Sequence, residues 1–159
     1  MADNSLVKIQ EGLQSLDLTR VIEFTKKIQD ISKGFNTTLA PIYLRDFILA
    51  IDVTNSLLAV AIRTHNRAEA YTKQAEAIAF LDKARDKIIE SGLKDSAEAR
   101  KRYVPMDPDV VDAHEVKSKT EAMVVFLKNK LMEFRLAHDD VKKIAYSNDY
   151  SHNTEYEGM

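Results

Sequence analysis

The sequence predicts an all-α fold, and three observations carry that expectation. Only four Gly and three Pro interrupt 159 residues, so turn-forming positions are scarce. Ala, Lys and Leu are among the commonest residues, with Ile and Glu also frequent, and most of these lose little on entering a helix. Apolar residues recur at spacings of three and four over long stretches, the period of a helix buried on one side. Together these features predict long antiparallel helices preceded by a helical N-terminal arm. A single all-helical domain is expected over residues 1–146.

Each element carries its own signals. Ile9, Leu13 and Leu16 mark the arm. Asp17 or Thr19 as N-cap opens a first helix with Leu18, Val21, Ile22, Ile28 and Ile31 on its apolar side, and Gly34 stops it. After the connector "NTTLAP", Pro41 suits the first turn of a second helix, where its missing N–H costs nothing. That helix meets no breaker before Gly92, which at about 1.5 Å per residue gives on the order of 75 Å. Its stripe of Leu44, Ile48, Ile51, Asn55, Leu58 and Ile62 fades into His65, Glu69, Thr72 and Glu76. A second stripe, Tyr71, Ile78, Leu81, Arg85 and Ile88, lies about 120° around the helix from the first and places a guanidinium among apolar residues. A helix buried on different faces at its two ends calls for self-association or for a kink near residue 65, and self-association is the expectation. Ala68, Ala70, Ala75, Ala77, Ala79 and Ala84 would let neighbouring helices approach closely.

The stretch "LKDSAEARKRYVPMDPD" is the main turn, with Asp95 or Ser96 capping a short helix that two prolines end. Asp107 as N-cap and Pro108 as first residue open the last helix. Its seam is a regular heptad of Ala113, Lys117, Thr120, Val124, Leu127, Leu131, Phe134, His138, Val141 and Ala145, which should pack antiparallel to the second helix. The tail over residues 147–159 has three acids, no Lys or Arg and no periodicity, and is expected to be disordered.

Composition narrows the function classes. The absence of Cys removes disulfides, thiolate metal sites and cysteine nucleophiles, and suits a reducing cytoplasm. The N-terminal "MADNSLVKIQEG" has no secretory pattern, and no unbroken run approaches the roughly 18 apolar residues that span a bilayer, so no membrane association is expected. Catalytic signatures are few. "AHDD" holds His138 beside Asp139, a pair found in metal-dependent phosphohydrolases, but such a site would also need His65 and His114 to converge on it. The competing reading has His138 filling a seam position while Asp139 and Asp140 face solvent. With no phosphate loop, nucleophile elbow or zinc spacing, the expectation is a non-enzyme without metal or cofactor.

The basic residues are more informative. Arg63 and Arg67 share one face of the second helix, Lys83 and Lys87 another, and Arg100, Lys101 and Arg102 cluster in the turn beside Tyr103, which could stack a base. A net charge of −2 makes the competing reading concrete, with each cation on a solvated face neutralised by Asp82, Asp86 or Glu98. Repetition of a modest patch around a symmetry axis would make it multivalent.

Three stretches carry a resemblance: "LDKARDKIIESG", "MDPDVVDAHEVKSKTEAMVVFLKNKL" and "RLAHDDVKKIAY". In order and approximate spacing they resemble the UvsY family of recombination mediators of T-even phages, over about residues 60–146. Lys83-Ala84-Arg85 matches the family's Leu-Lys-Ala-Arg stretch, although Asp82 intervenes after Leu81. Asp107-Pro108-Asp109-Val110 matches its Asp-x-Asp-Val helix start. Arg135 with Val141-Lys142-Lys143-Ile144 matches its closing motif with two extra residues. The resemblance implies a ring-like homo-oligomer of six or seven subunits in the host cytoplasm. It implies binding of single-stranded DNA and help in loading a RecA-like recombinase in place of a single-strand binding protein during recombination and repair. The candidate DNA-binding residues are Lys83, Arg85, Arg100, Lys101, Arg102, Arg63 and Arg67. On this reading Arg85 faces an adjacent subunit or the DNA, whereas a monomer would need it paired with a carboxylate of the last helix. The alternative is an oligomeric phage assembly or packaging protein that works through helix-mediated protein contacts.

Overall fold

The structure, a computed structural model, describes residues 3–153, with side chains described over residues 5–147. All regular structure among the described residues is helical, as the sequence predicts. The elements are α1 (Asp3–Gln14), α2 (Thr19–Lys33), α3 (Ala40–Ile78), α4 (Ala84–Glu90), α5 (Ala97–Tyr103) and α6 (Pro108–Asn153). Short 3-10 turns occupy Thr37–Leu39 and Val104–Met106, and a π-helical turn at Ala79–Lys83 joins α3 to α4.

The boundaries follow local chemistry. Ser96 caps α5 by accepting the Ala99 N–H at 3.1 Å, and Asp107 caps α6 by accepting the Asp109 N–H at 3.1 Å. Asn36 accepts the Thr38 N–H at 3.1 Å and starts the 3-10 turn, and α3 begins at Ala40 with Pro41 in its first turn. Leu18, not Asp17 or Thr19, occupies the N-cap of α2, since Asp17 takes the Thr19 N–H at 3.0 Å, before the helix proper. Gly92 has φ +72°, and the chain closes α4 with bonds from Leu93 N–H to Ile88 O (3.2 Å) and Gly92 N–H to Ile89 O (2.9 Å), a Schellman stop. The last helix continues past residue 146 to Asn153, while the remainder of the expected tail, 154–159, lies outside the described residues.

The chain divides into two compact units, where the sequence reading takes one domain. Residues up to Leu16 together with Val60–Val124 form the first, and Asp17–Ala59 with the residues from Val125 onward form the second. In the first unit α1 packs Ile9 against Ala68 and Val116, and Ala75, Ala79, Val110 and Ala113 form a neighbouring cluster, with Tyr71 against both. The pairs Glu76–His114 (2.8 Å) and His65–Thr120 (3.0 Å) show that the segments of α3 and α6 in this unit run antiparallel. Since the Thr120 hydroxyl donates to Lys117 O at 2.7 Å, it accepts from His65, which puts the imidazole proton on Nδ1. In the second unit Phe47 packs with Ala40 and Val141, and Phe24 meets Phe134 edge-on at 6.2 Å between ring centroids.

The seam of α6 is buried as the heptad predicts, through Ala113, Thr120, Val124, Leu127, Leu131, Phe134 and Val141. The buried line of α3 is one residue out of step with the greasiest stripe: Phe47, Ala50 and Thr54, then Ala61, Thr64, Ala68, Thr72, Ala75 and Ala79. Small side chains allow close helix approach, and each threonine hydroxyl is satisfied inside its own helix, by Ala50 O (2.7 Å), Val60 O (3.0 Å) and Ala68 O (2.9 Å). Ile48 is left 52% exposed in consequence.

α3 is one continuous helix through residue 65. The adjustment comes at the π-helical turn. Buried positions step from Ala79 to Ala84 and Ile88, an interval of five and then four. Without the extra residue, the seam would next meet Asp82 or Lys83 and then Asp86; with it, alanine and isoleucine return inward. Arg85 is thereby turned to solvent, so the second stripe drawn from the sequence does not exist as a buried face. The continuous helical run Thr37–Glu90 does contain an 18-residue window of mean hydropathy 1.5, long and apolar enough to cross a membrane by length and composition, of which 28% is buried. Core helices of soluble proteins pass the same test.

Candidate nucleic-acid interface

The seven basic residues singled out from the sequence fall into two groups, both in the first unit. Five surround the turn from α4 to α6. Lys83 donates to Asp107 Oδ1 at 3.1 Å and also to Asp109 Oδ2. Its hydrogen bond to Asp109 above all, with that to Asp107, holds the ammonium above its ordinary pKa of 10.5. Burial pushes the Asp107 carboxyl up, but bonds from Lys83 and from the Tyr103 hydroxyl (3.1 Å) outweigh it and leave the group below its ordinary 3.8. Arg100 grips Asp95 in a two-pronged bond, Nε to Oδ1 at 2.7 Å and Nη2 to Oδ2 at 2.5 Å, and its guanidinium carbon lies 5.9 Å from the Phe80 ring centre. Those bonds hold the Asp95 carboxyl below its ordinary range, and the charge of Arg85 adds to the effect. Arg102 bonds Glu98 at 2.6 Å on the open surface.

The turn therefore uses Lys83 and Arg100 to tie its own segments together, and Tyr103 is engaged with Asp107 rather than standing free as a stacking platform. Arg85 and Lys101 are exposed and have no hydrogen-bonded carboxylate among the described residues. Beside them a groove of about 680 Å³ has Ile88, Leu93 and Met106 in its wall and Lys87 and Arg102 at its edge. Lys87 is paired with Glu90 at 2.9 Å, so each cation of this groove already has a carboxylate.

Arg63 and Arg67 make the second group, one helical turn apart on α3 and both exposed. Like charges at this spacing repel, and neither has a carboxylate partner among the described residues. Arg67 lines a groove of about 400 Å³ with Tyr71 and Gln74 of α3 and Ser5, Lys8 and Ile9 of α1. No carboxylate lines it among the described residues. The helix pair is set close: a Cβ on Gly12 would lie 3.0 Å from Thr64 Oγ1, which only a glycine avoids without a shift. Lys8 and Gln74 were not singled out by sequence reasoning. Lys8 is one cation on an exposed arm face, and its place in one groove with Arg67 depends on how α1 docks. The one available signal was Gly12 inside an otherwise helical arm.

His65, His114 and His138 do not converge. His65 is bonded to Thr120, His114 to Glu76, and His138 lies 3.2 Å from Asp139. Among the described residues, no group of three His, Cys, Asp or Glu could hold a metal ion. Comparison of the chain with family models, with curated proteins and with solved structures gives no match.

Proposed function

We propose that the protein binds single-stranded DNA as a homo-oligomer and acts as a recombination mediator, helping a RecA-like recombinase to replace a single-strand binding protein. The observation that supports this reading is the set of Arg63, Arg67, Arg85, Lys101 and Lys8, exposed cations with no hydrogen-bonded carboxylate among the described residues of a chain whose net charge is −2. Exposed cations that no carboxylate holds are available to phosphates. Binding would need no catalysis, only phosphate contacts repeated in a ring of six or seven subunits, the assembly that the family resemblance implies.

The test is fluorescence anisotropy of a labelled oligothymidylate over a salt series, with mass by light scattering. Salt-sensitive binding by a closed oligomer is the expected result. Absence of binding at low salt overturns the reading. A second reading, an assembly or packaging protein acting through helix contacts, is favoured by Val125, Met132 and Leu136. These share one face of α6, and all three are exposed. An oligomer that ignores DNA but comes apart when this face is charged would establish it.

A further inference from the structure

We infer that the groove between α1 and α3 is the seat of a single nucleotide of the bound strand, with a base against Tyr71 and its neighbouring phosphates on Lys8 and Arg67. This rests on the nucleic-acid reading and adds a location that the sequence motifs do not indicate. Two grooves in the first unit have cations at their edges, and charge separates them. At the turn, Lys87 and Arg102 are each occupied by a carboxylate, and Glu98 itself lines the wall. In the α1–α3 groove the two cations come from different helices, both line it, and they share it with no carboxylate among the described residues. A polyanion entering here displaces no ion pair of Lys8 or Arg67 among the described residues.

The aromatic wall is also suited to a base. Tyr71 is half-buried and packs against both apolar clusters of this unit, Ile9 with Ala68 and Val116 on one side and Ala75 with Ala79 and Val110 on the other. Its ring is therefore fixed before any ligand arrives, while part of it lines the groove. Stacking on a fixed ring is tolerant of base identity and contributes about 1–3 kcal/mol per base in single-strand binders. Gln74, one turn beyond Tyr71, and Ser5 on the opposite helix offer donors and acceptors to a base edge. The volume, about 400 Å³, lies near the lower end of the roughly 300–1,000 Å³ typical of small-ligand sites, which suits one nucleotide better than a continuous stretch of strand. Arg63, a turn before Arg67, carries the line of positive charge out of the groove along α3.

The test is photocrosslinking of the full-length chain to oligothymidylate with one 5-iododeoxyuridine, followed by peptide mapping. The expected adduct is on Tyr71, and its yield falls several-fold in the Lys8→Ala, Arg67→Ala double variant. Both substitutions are at exposed positions, so the fold persists. If the oligonucleotide binds but the adduct maps to Tyr103 or to no tyrosine, the nucleotide seat is refuted while the nucleic-acid reading stands. If the oligonucleotide does not bind, both fall.

Discussion

The ammonium of Lys83 lies 3.1 Å from Asp107 Oδ1 across 24 residues of sequence, joining the end of the π-helical turn to the cap of α6. Asp107 is only 2% exposed, and the Tyr103 hydroxyl and the Asp109 N–H complete its set of donors. A buried carboxylate deprived of its cation keeps its desolvation cost. Lys83→Met should therefore lower the unfolding free energy by about 1–2 kcal/mol, the partial exposure of Lys83 keeping the loss below that of a fully buried pair. Urea denaturation reads this directly. A variant of unchanged stability but reduced DNA affinity would show instead that Lys83 serves the ligand.

The same pair sets a pH window. Asp107 has a folded pKa below its ordinary 3.8, so its contribution is present above that value and is lost as pH falls through the folded pKa. Lys83 has a folded pKa above its ordinary 10.5, so its contribution is complete below that value and is lost as pH rises through the folded pKa. Stability from this bridge should be level between these limits and fall outside them. In Lys83→Met the alkaline fall should shrink, as thermal melts across the range would record.

The π-helical turn makes a prediction about chain length. Deleting the exposed Leu81 shortens the step from Ala79 to Ala84 to four residues, an ordinary α-helical interval that keeps Ala84 and Ile88 inward. Deleting Ala70, within regular α3, rotates every later seam residue by about 100°. Circular dichroism melts should show cooperative unfolding for the first variant and its loss for the second.

Packing in the second unit is tested by contrast on one helix. Phe134 is fully buried against Phe24, and Phe134→Ala should cost about 3–5 kcal/mol. Met132, two residues away and 59% exposed, should cost no more than about 0.5 kcal/mol when changed to Ala. Equal effects would mean that the Met132 face is covered, which is what the assembly reading requires.

The last helix was legible because its apolar residues keep one period from Val124 to Val141, and because Asp107 and Pro108 mark its start unambiguously. The second helix was harder to read for two physical reasons. Its buried line is made of alanines and self-satisfied threonines, so the larger Ile48 and Ile62 pointed to the wrong face. A fixed angle per residue also cannot register a π-helical turn, which is why the sequence pattern sets Arg85 on an apolar stripe. Of the candidate site, the cations themselves were visible, but not which were engaged. Lys83 acquires its carboxylates through the fold and Arg100 and Arg102 take theirs from within the turn, whereas Arg63 and Arg67 have none among the described residues. The contribution of Lys8 depends on docking of α1, which no local pattern encodes.

The most direct test of the DNA-binding claim is the salt dependence of single-strand affinity in the native chain and in the Arg63→Ala, Arg67→Ala double variant. For single strands the slope of log K against log salt is about −0.7 per phosphate neutralised, so loss of two contacts should flatten it by about 1.4 while the oligomer's mass holds. An unchanged slope, or no binding by the native chain at low salt, would contradict the account.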